Sequence, residues 1–392
     1  MTMINRFGGN PLKTINSNKM ADKNPGIDIR QKKDTGLEGG LQLPEAPSFL
    51  IILMGSLGDV TRGLYLVSRI KARFPQAVIT WLIEPKCREI VTVHPLIDEI
   101  LVFNRTNWQQ GGLKDILFEL RKRHFDCVLD LQRHVKSGFF SFATGAKYRI
   151  GFHRSNAKEG NWLFNNIFIP PMDESYPKIF HYLKFTELLG CHPEYEPAQS
   201  RALFESRALD SGLSGSALSS AADDISAAIK TPYMAVVLGS SWISKEWHFE
   251  GYTALINTIL DTTELNVVLV DTMAKYQMAC ELEREIDSTR LINLVGKTSL
   301  PELAAVLQQA EVAVGPDCGS AHIAAAVGTY YVTIFGPTDP VRTAPFGSEH
   351  LVVSKNLACA PCYKRKCPQK EPACLNNITA GDVLHKILQV LH

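Results

Sequence analysis

Short apolar runs in this chain end in glycine-bearing polar turns, and a helical pattern starts at once after them. The run from Ser48 to Met54 leads into the turn Gly55 to Val60, after which Leu64, Val67, Ile70 and Phe74 fall roughly on one helix face. From Val312 to Pro340 the order is strand, polar turn, short helix, strand and a second polar turn. Runs that are apolar at every position mark strands covered on both faces, as in parallel sheets. Further strands are predicted over 77–83, 100–103, 126–130 and 148–151, with one helix through Leu113, Ile116, Leu117 and Leu120 and another over 136–144. The alternation restarts with strands over 233–238, 266–270 and 291–294 and a helix through Leu300, Leu303 and Leu307, capped by Thr298 or Ser299. Such alternation implies an α/β fold with parallel sheets and helices on both faces.

The break in this pattern gives the domain plan. Residues 1–47 are polar and read as a mobile tail or an extension. Residues 48–200 form a first Rossmann-like domain, 201–230 a Ser/Ala/Gly-rich linker and 231–378 a second Rossmann-like domain; 379–392 add a final helix. A length of 392 residues also exceeds one ordinary core. Lysine plus arginine (41) nearly balances aspartate plus glutamate (40), which argues against bulk nucleic-acid binding. No apolar run approaches the roughly 20 residues of a spanning helix, and no export signal opens the chain, so a cytoplasmic protein is expected.

Two turns carry the candidate chemistry. Asp317, Gly319, Ser320 and His322 lie where a helix begins, and a helix N-terminus offers free N–H groups and partial positive charge to an anion such as a diphosphate. A tight strand-to-helix turn with an ordinary cap explains the same residues without a ligand. Gly58 and Asp59 follow the first strand, at the kind of crevice where open α/β sheets bind ligands. Neither G-x-G-x-x-G in full nor a G-x-x-x-x-G-K-[ST] loop is present.

Five motifs in order resemble the ADP-heptose:lipopolysaccharide heptosyltransferases, glycosyltransferase family nine. They are Gly58 to Val60, Gly239 to Trp247, Asn293 to Leu300, Asp317 to His322, and Phe335 to Pro340, each at a strand end, in a resemblance that runs from Leu50 to the C-terminus. It implies a GT-B fold: two Rossmann-like domains facing across a cleft, acceptor on the first, nucleotide-sugar donor on the second. The last helix, from Asp382 to Leu391, would pack back on the first domain. The implied reaction is inverting transfer of a heptose from ADP-heptose to the anionic inner core of lipopolysaccharide, with no metal or other cofactor and contact with the inner face of the cytoplasmic membrane.

Such a transfer needs a base for the acceptor proton and positive charge for the departing diphosphate. The resemblance puts Asp59 in the base position, where the residues alone favour a helix cap. Lys245 would neutralise phosphate, with Ser240 and Ser241 as hydroxyl donors and Gly319, Ser320 and His322 holding the diphosphate. Asp317 caps the turn or orients a donor group. Asp271 or Glu281 would take a ribose hydroxyl, although an exposed acid explains either, and Lys297 would neighbour the nucleotide. Basic groups for the anionic acceptor are expected among Arg62, Arg133, His134, Lys136, Arg149 and Arg154, with Arg62, Arg133 and Lys136 as the site candidates. The segment Thr61 to Gly63 and the residues Cys318, Ser320 and Ala321 depart from the family's commoner pattern. Cys359, Cys362, Cys367 and Cys374 begin with a metal-ligand spacing but continue with irregular gaps; packing or loop stapling is preferred to zinc. Two other readings stay open: a GT-B enzyme using another sugar nucleotide, or a non-catalytic sugar-nucleotide-binding protein on this fold.

Overall fold

The computed structural model describes residues 41–391 apart from 105, 107–111, 192–199, 206–209, 214–217, 219–228, 230–231 and 370–371. Residues 1–40 of the expected tail and most of the expected linker therefore lie outside the described residues. Two sheets of six strands organise the rest. The first contains β1 (Ser48–Ile52), β2 (Val78–Ile83), β3 (Glu99–Val102), β4 (Cys127–Asp130), β5 (Tyr148–Gly151) and β6 (Ile167–Phe168) in the order β3-β2-β1-β4-β5-β6. The second contains β7 (Tyr233–Val237), β8 (Asn266–Val270), β9 (Leu291–Asn293), β10 (Val312–Pro316), β11 (Tyr331–Phe335) and β12 (Val352–Ser354) in the order β12-β11-β10-β7-β8-β9. Every pairing is parallel. Read from its own first strand, each sheet has the same doubly wound order. This is the GT-B arrangement, and it sets a topological switch point beside β1 and β4 in one unit and beside β7 and β10 in the other.

The uniformly apolar strands are explained by burial on both faces: β7 and β10 are buried at every residue. The helices that bear on function are α1 (Leu57–Arg73), α2 (Val135–Ala143), α3 (Lys178–Leu188), α4 (Phe249–Thr262), α5 (Tyr276–Ile286), α6 (Leu300–Gln309), α7 (Gly319–Ala326) and α8 (Ala380–Ile387). Ser299 caps α6 in a capping box with Glu302. One apolar cluster runs through both units, joining Val60, Leu64 and Val67 of α1 to Ala321, Ile323 and Ala324 of α7. At this seam the backbones come close: a Cβ on Gly58 would sit 2.6 Å from the His322 ring, and one on Gly319 would sit 2.8 Å from Leu57.

One expectation is corrected. The final helix α8 does not pack back on the first unit; it lies against α4, β11 and β12 of the second. Its apolar residues Val383 and Ile387 belong to that unit's core. The sequence shows which face of α8 is apolar and not which surface covers it.

Candidate active site

The switch points of both sheets open onto one cleft. In the first unit Gln132, just after β4, stitches the end of β1: its side chain accepts from Met54 N at 2.8 Å and donates to Gly55 O at 2.9 Å. This fixes the turn from which α1 starts. Ser56 is the N-cap residue, and Asp59 stands three residues on, inside the first turn, so Asp59 is not the cap. Its carboxylate accepts from Ser56 Oγ at 3.0 Å, Arg62 Nη1 at 2.9 Å and Lys178 Nζ at 3.1 Å. Burial alone would raise the Asp59 carboxyl, but the Lys178 and Arg62 charges outweigh it and hold the group far below the ordinary carboxylate range. Burial pulls Lys178 down, opposed by the charge of Asp59.

Arg62 was expected on the acceptor side; the fold instead buries it at the seam. Its Nη2 lies 2.6 Å from His322 Nε2 while Nη1 holds Asp59. Since a guanidinium only donates, His322 must accept at Nε2. Burial first and the Arg62 charge second keep this imidazole well below its usual pKa, hence neutral. One arginine thus ties a carboxylate of the first unit to the α7 start of the second.

In the second unit the turn after β7 is held from several sides. Gly239 N donates to Asp271 Oδ2 at 2.7 Å, and Ser240 Oγ donates to the Asp317 carbonyl at 3.0 Å. Lys245 Nζ bonds Asp317 Oδ2 at 2.7 Å and lies 4.6 Å from the Trp242 ring centre. Thr338 Oγ1 donates to the same Asp317 oxygen at 2.7 Å. Asp317 therefore gathers the turns after β7, β10 and β11, with Gly319 and Ser320 opening α7 beside it. Ser241 is exposed. Asp271, whose carboxyl burial raises, is committed to Gly239 and Thr272. Glu281 and Lys297 are not drawn into this cluster. Glu281 accepts from Gln277 along α5, and exposed Lys297 bonds the Asn293 carbonyl of its own turn.

A pocket of the first unit reaches Asp59 and is lined by Gln132, Arg133, Lys178, His181 and Tyr182, with Arg342 added from the second unit. Arg133 lies 5.0 Å over the Phe152 ring and pairs with Glu174, which also accepts from Arg342 at 2.8 Å. Although burial opposes it, these arginines and Asn156 pull the Glu174 carboxyl down to about 2. Two of the lining residues also carry a buried nitrogen without a hydrogen-bond partner, His181 Nε2 and Arg342 Nε, which is uncommon in a folded chain. His134 lines this pocket too and pairs with Glu159. Lys136 does not line it; its ammonium reaches Glu84 at 3.5 Å and the Phe103 ring at 4.9 Å. Arg149 is tied to the Phe164 and Ala146 carbonyls, and Arg154 is exposed.

Lys178, Arg342, Glu174 and Lys275 escaped sequence reasoning. Lys178 begins a helix that the alternation did not reveal, 119 residues from the carboxylate it touches. Lys275 pairs with Glu246 at 2.5 Å beside the β7 turn. Cys359, Cys362, Cys367 and Cys374 are free thiols around one cavity with Ser244 and Pro337. Among the described residues, no group of three or more His, Cys, Asp or Glu is arranged to hold a metal. No helix there is long and apolar enough to cross a membrane.

Two doubly wound units whose switch points face each other, one bringing a carboxylate and the other a cationic helix start, define a GT-B transferase-type cleft. Residues 116–372 match the model of glycosyltransferase family 9 (heptosyltransferase), and the chain belongs to that family. It is 28% identical over 79% of its length to the lipopolysaccharide core heptosyltransferase OpsX of Haemophilus influenzae, covering 85% of that protein. It is 25% identical over 81% of its length to lipopolysaccharide heptosyltransferase 1 of Pseudomonas aeruginosa, covering 86% of it. The solved structure of the E. coli heptosyltransferase WaaC with ADP shares the fold, with a TM-score of 0.69, 20% identity and coverage of 87% of this chain and 99% of that one.

Proposed function

We propose that this enzyme transfers a heptose from an ADP-heptose donor to the inner core of lipopolysaccharide, with inversion at the sugar carbon. The observation that carries the reading is the Arg62 bridge, which puts Asp59 and the start of α7 in one cleft. The donor diphosphate lies at the N-terminus of α7, near Gly319 and Ser320, with Ser240, Ser241 and Lys245 around it. Lys245 exchanges its bond to Asp317 for phosphate oxygen. His322, an acceptor at Nε2, aims Arg62 at the leaving group and does not itself donate from that atom. Asp271 orders the β7 turn through Gly239, and its remaining lone pairs face a ribose hydroxyl.

The acceptor saccharide enters the pocket of Arg133, Lys178 and Arg342, whose cations suit an anionic sugar. Its hydroxyl oxygen attacks the anomeric carbon as its proton passes to Asp59. The bond from that carbon to the diphosphate oxygen breaks, and ADP leaves with the electron pair, stabilised by the helix end, Lys245 and Arg62. A carboxylate held this low is a weak base. An anionic acceptor that engages Lys178, which lines the acceptor pocket, relieves this by offsetting that charge beside Asp59. The first unit is the acceptor side and the second the donor side, and the reaction takes place at the inner membrane surface.

Product analysis with ADP-heptose, other ADP-sugars and GDP-sugars on a 3-deoxy-octulosonate-bearing acceptor tests this. A heptosylated product from ADP-heptose is expected; transfer solely from a different sugar nucleotide would refute the donor assignment.

A further inference from the structure

Helix α2 carries Val135, Phe139 and Phe142 at spacings of four and three residues, and all three are exposed, Phe142 by 56%. That spacing puts them on one helix face. The neighbouring turn Asn161–Phe164 adds exposed Trp162 and Leu163, the latter by 67%. The two elements form one platform. A Cβ on Gly138 of α2 would lie 2.9 Å from Asn161, and the Phe142 and Phe164 rings meet at 6.3 Å. Scattered exposed apolar residues are ordinary, but a joined cluster of this kind marks a contact surface.

Charge selects the occupant. Residues 133–166 contain six Lys or Arg against the single acid Glu159, in a chain whose net charge is only +1. Among the described residues Lys147, Arg149, Arg154 and Lys158 form no ion pair with an acid, and Arg149 lies 5.7 Å over the Phe142 ring. Exposed aromatic and aliphatic side chains flanked along the chain by cations without an acidic partner suit the headgroup region of an anionic bilayer. The platform also adjoins the acceptor pocket, since Arg133 and His134 of its wall lead directly into Val135. We propose that the α2 face and the 161–164 turn seat on an anionic lipid surface, presenting the acceptor pocket to a membrane-anchored saccharide. The lipid contact stands on this surface alone; its service to the acceptor rests on the proposed function.

Cosedimentation with vesicles of phosphatidylcholine, with and without phosphatidylglycerol, tests it. The wild type should bind the anionic vesicles, weakly at high salt, and bind neutral ones far less. Phe139→Ser, Phe142→Ser and Leu163→Ser combined should lower anionic-vesicle affinity by about tenfold or more, from lost apolar insertion. The same variant should keep its melting temperature and its turnover on a water-soluble acceptor. Wild-type protein that ignores anionic vesicles, or a triple variant that binds them as well as wild type, overturns the proposal. So does a wild-type dimer that the three changes dissociate without any vesicle binding. Absence of transfer to the soluble acceptor with vesicle binding intact would instead strike the functional reading.

Discussion

At the residue scale Asp59 and its two cations set the chemistry of the cleft. Lys178 and Arg62 keep the carboxylate ionised through the whole neutral range, so Asp59 should impose no acid limb on kcat/KM above about pH 4. Lys178→Ala removes one of those charges, and the Asp59 pKa should rise. The acid limb of the variant's pH–rate profile should then move upward; an unshifted limb with lowered activity would mean that Lys178 acts elsewhere. The stability linkage has a definite sign. A carboxyl depressed on folding stabilises the protein above its unfolded pKa of about 4, and that contribution is lost as pH falls toward the folded value. Lys178→Ala should therefore lose less stability than wild type on acidification, as read by urea midpoints across that window. Lys245→Ala should weaken ADP binding as well as turnover, because it removes the phosphate's cation; equal ADP affinity by calorimetry would count against that role. The base role of Asp59 comes from the family resemblance, since the residues alone favour a cap, but the strand-and-glycine turns that carry Asp59 and Lys245 were legible. Lys178 was not, because a lysine at a helix start is usually solvated and nothing local marks its distant partner.

At the element scale the decisive feature is the approach of α1 and α7. Both begin at a glycine-bearing turn, and both glycines are needed: Gly58 clears the His322 ring and Gly319 clears Leu57. Gly58→Ala would place its Cβ 2.6 Å from a ring pinned by Arg62, so the ring or the helix start must move and the Arg62 bridge is disturbed. We expect a loss of turnover of at least about tenfold, with a stability cost of about 1–3 kcal/mol from overpacking, partly offset by alanine's better helix propensity. Activity and melting temperature both at wild-type level would show that this close contact is not required. The strand-turn-helix units around β1 and β10 were readable because parallel strands buried on both faces are apolar throughout. The local bonding of Glu281 and Lys297 was not legible, because proximity to a strand end in sequence does not say which way a helix or turn carries a side chain. The placement of α8 failed likewise, since amphipathicity reveals a buried face without its cover.

At the scale of the whole molecule, a core cluster shared by both units argues that they do not melt independently. Heating should give one cooperative transition, displaced upward by ADP according to its affinity; two separated transitions would contradict the shared core. Glu174 adds a polar link, holding Arg133 of the first unit and Arg342 of the second. The two-unit plan was legible in the alternation of strands and helices, whereas contacts between units, such as Arg62 with His322 across 260 residues, have no local signature. The central claim is that a carboxylate of one unit deprotonates the acceptor for a donor held by the other. Single-turnover transfer from ADP-heptose by Asp59→Asn, with ADP affinity measured on the same protein, tests it most directly. The predicted result is a rate lower by about a hundredfold or more, as expected for loss of a general base, with ADP affinity unchanged. Transfer at a rate close to that of wild type would contradict it.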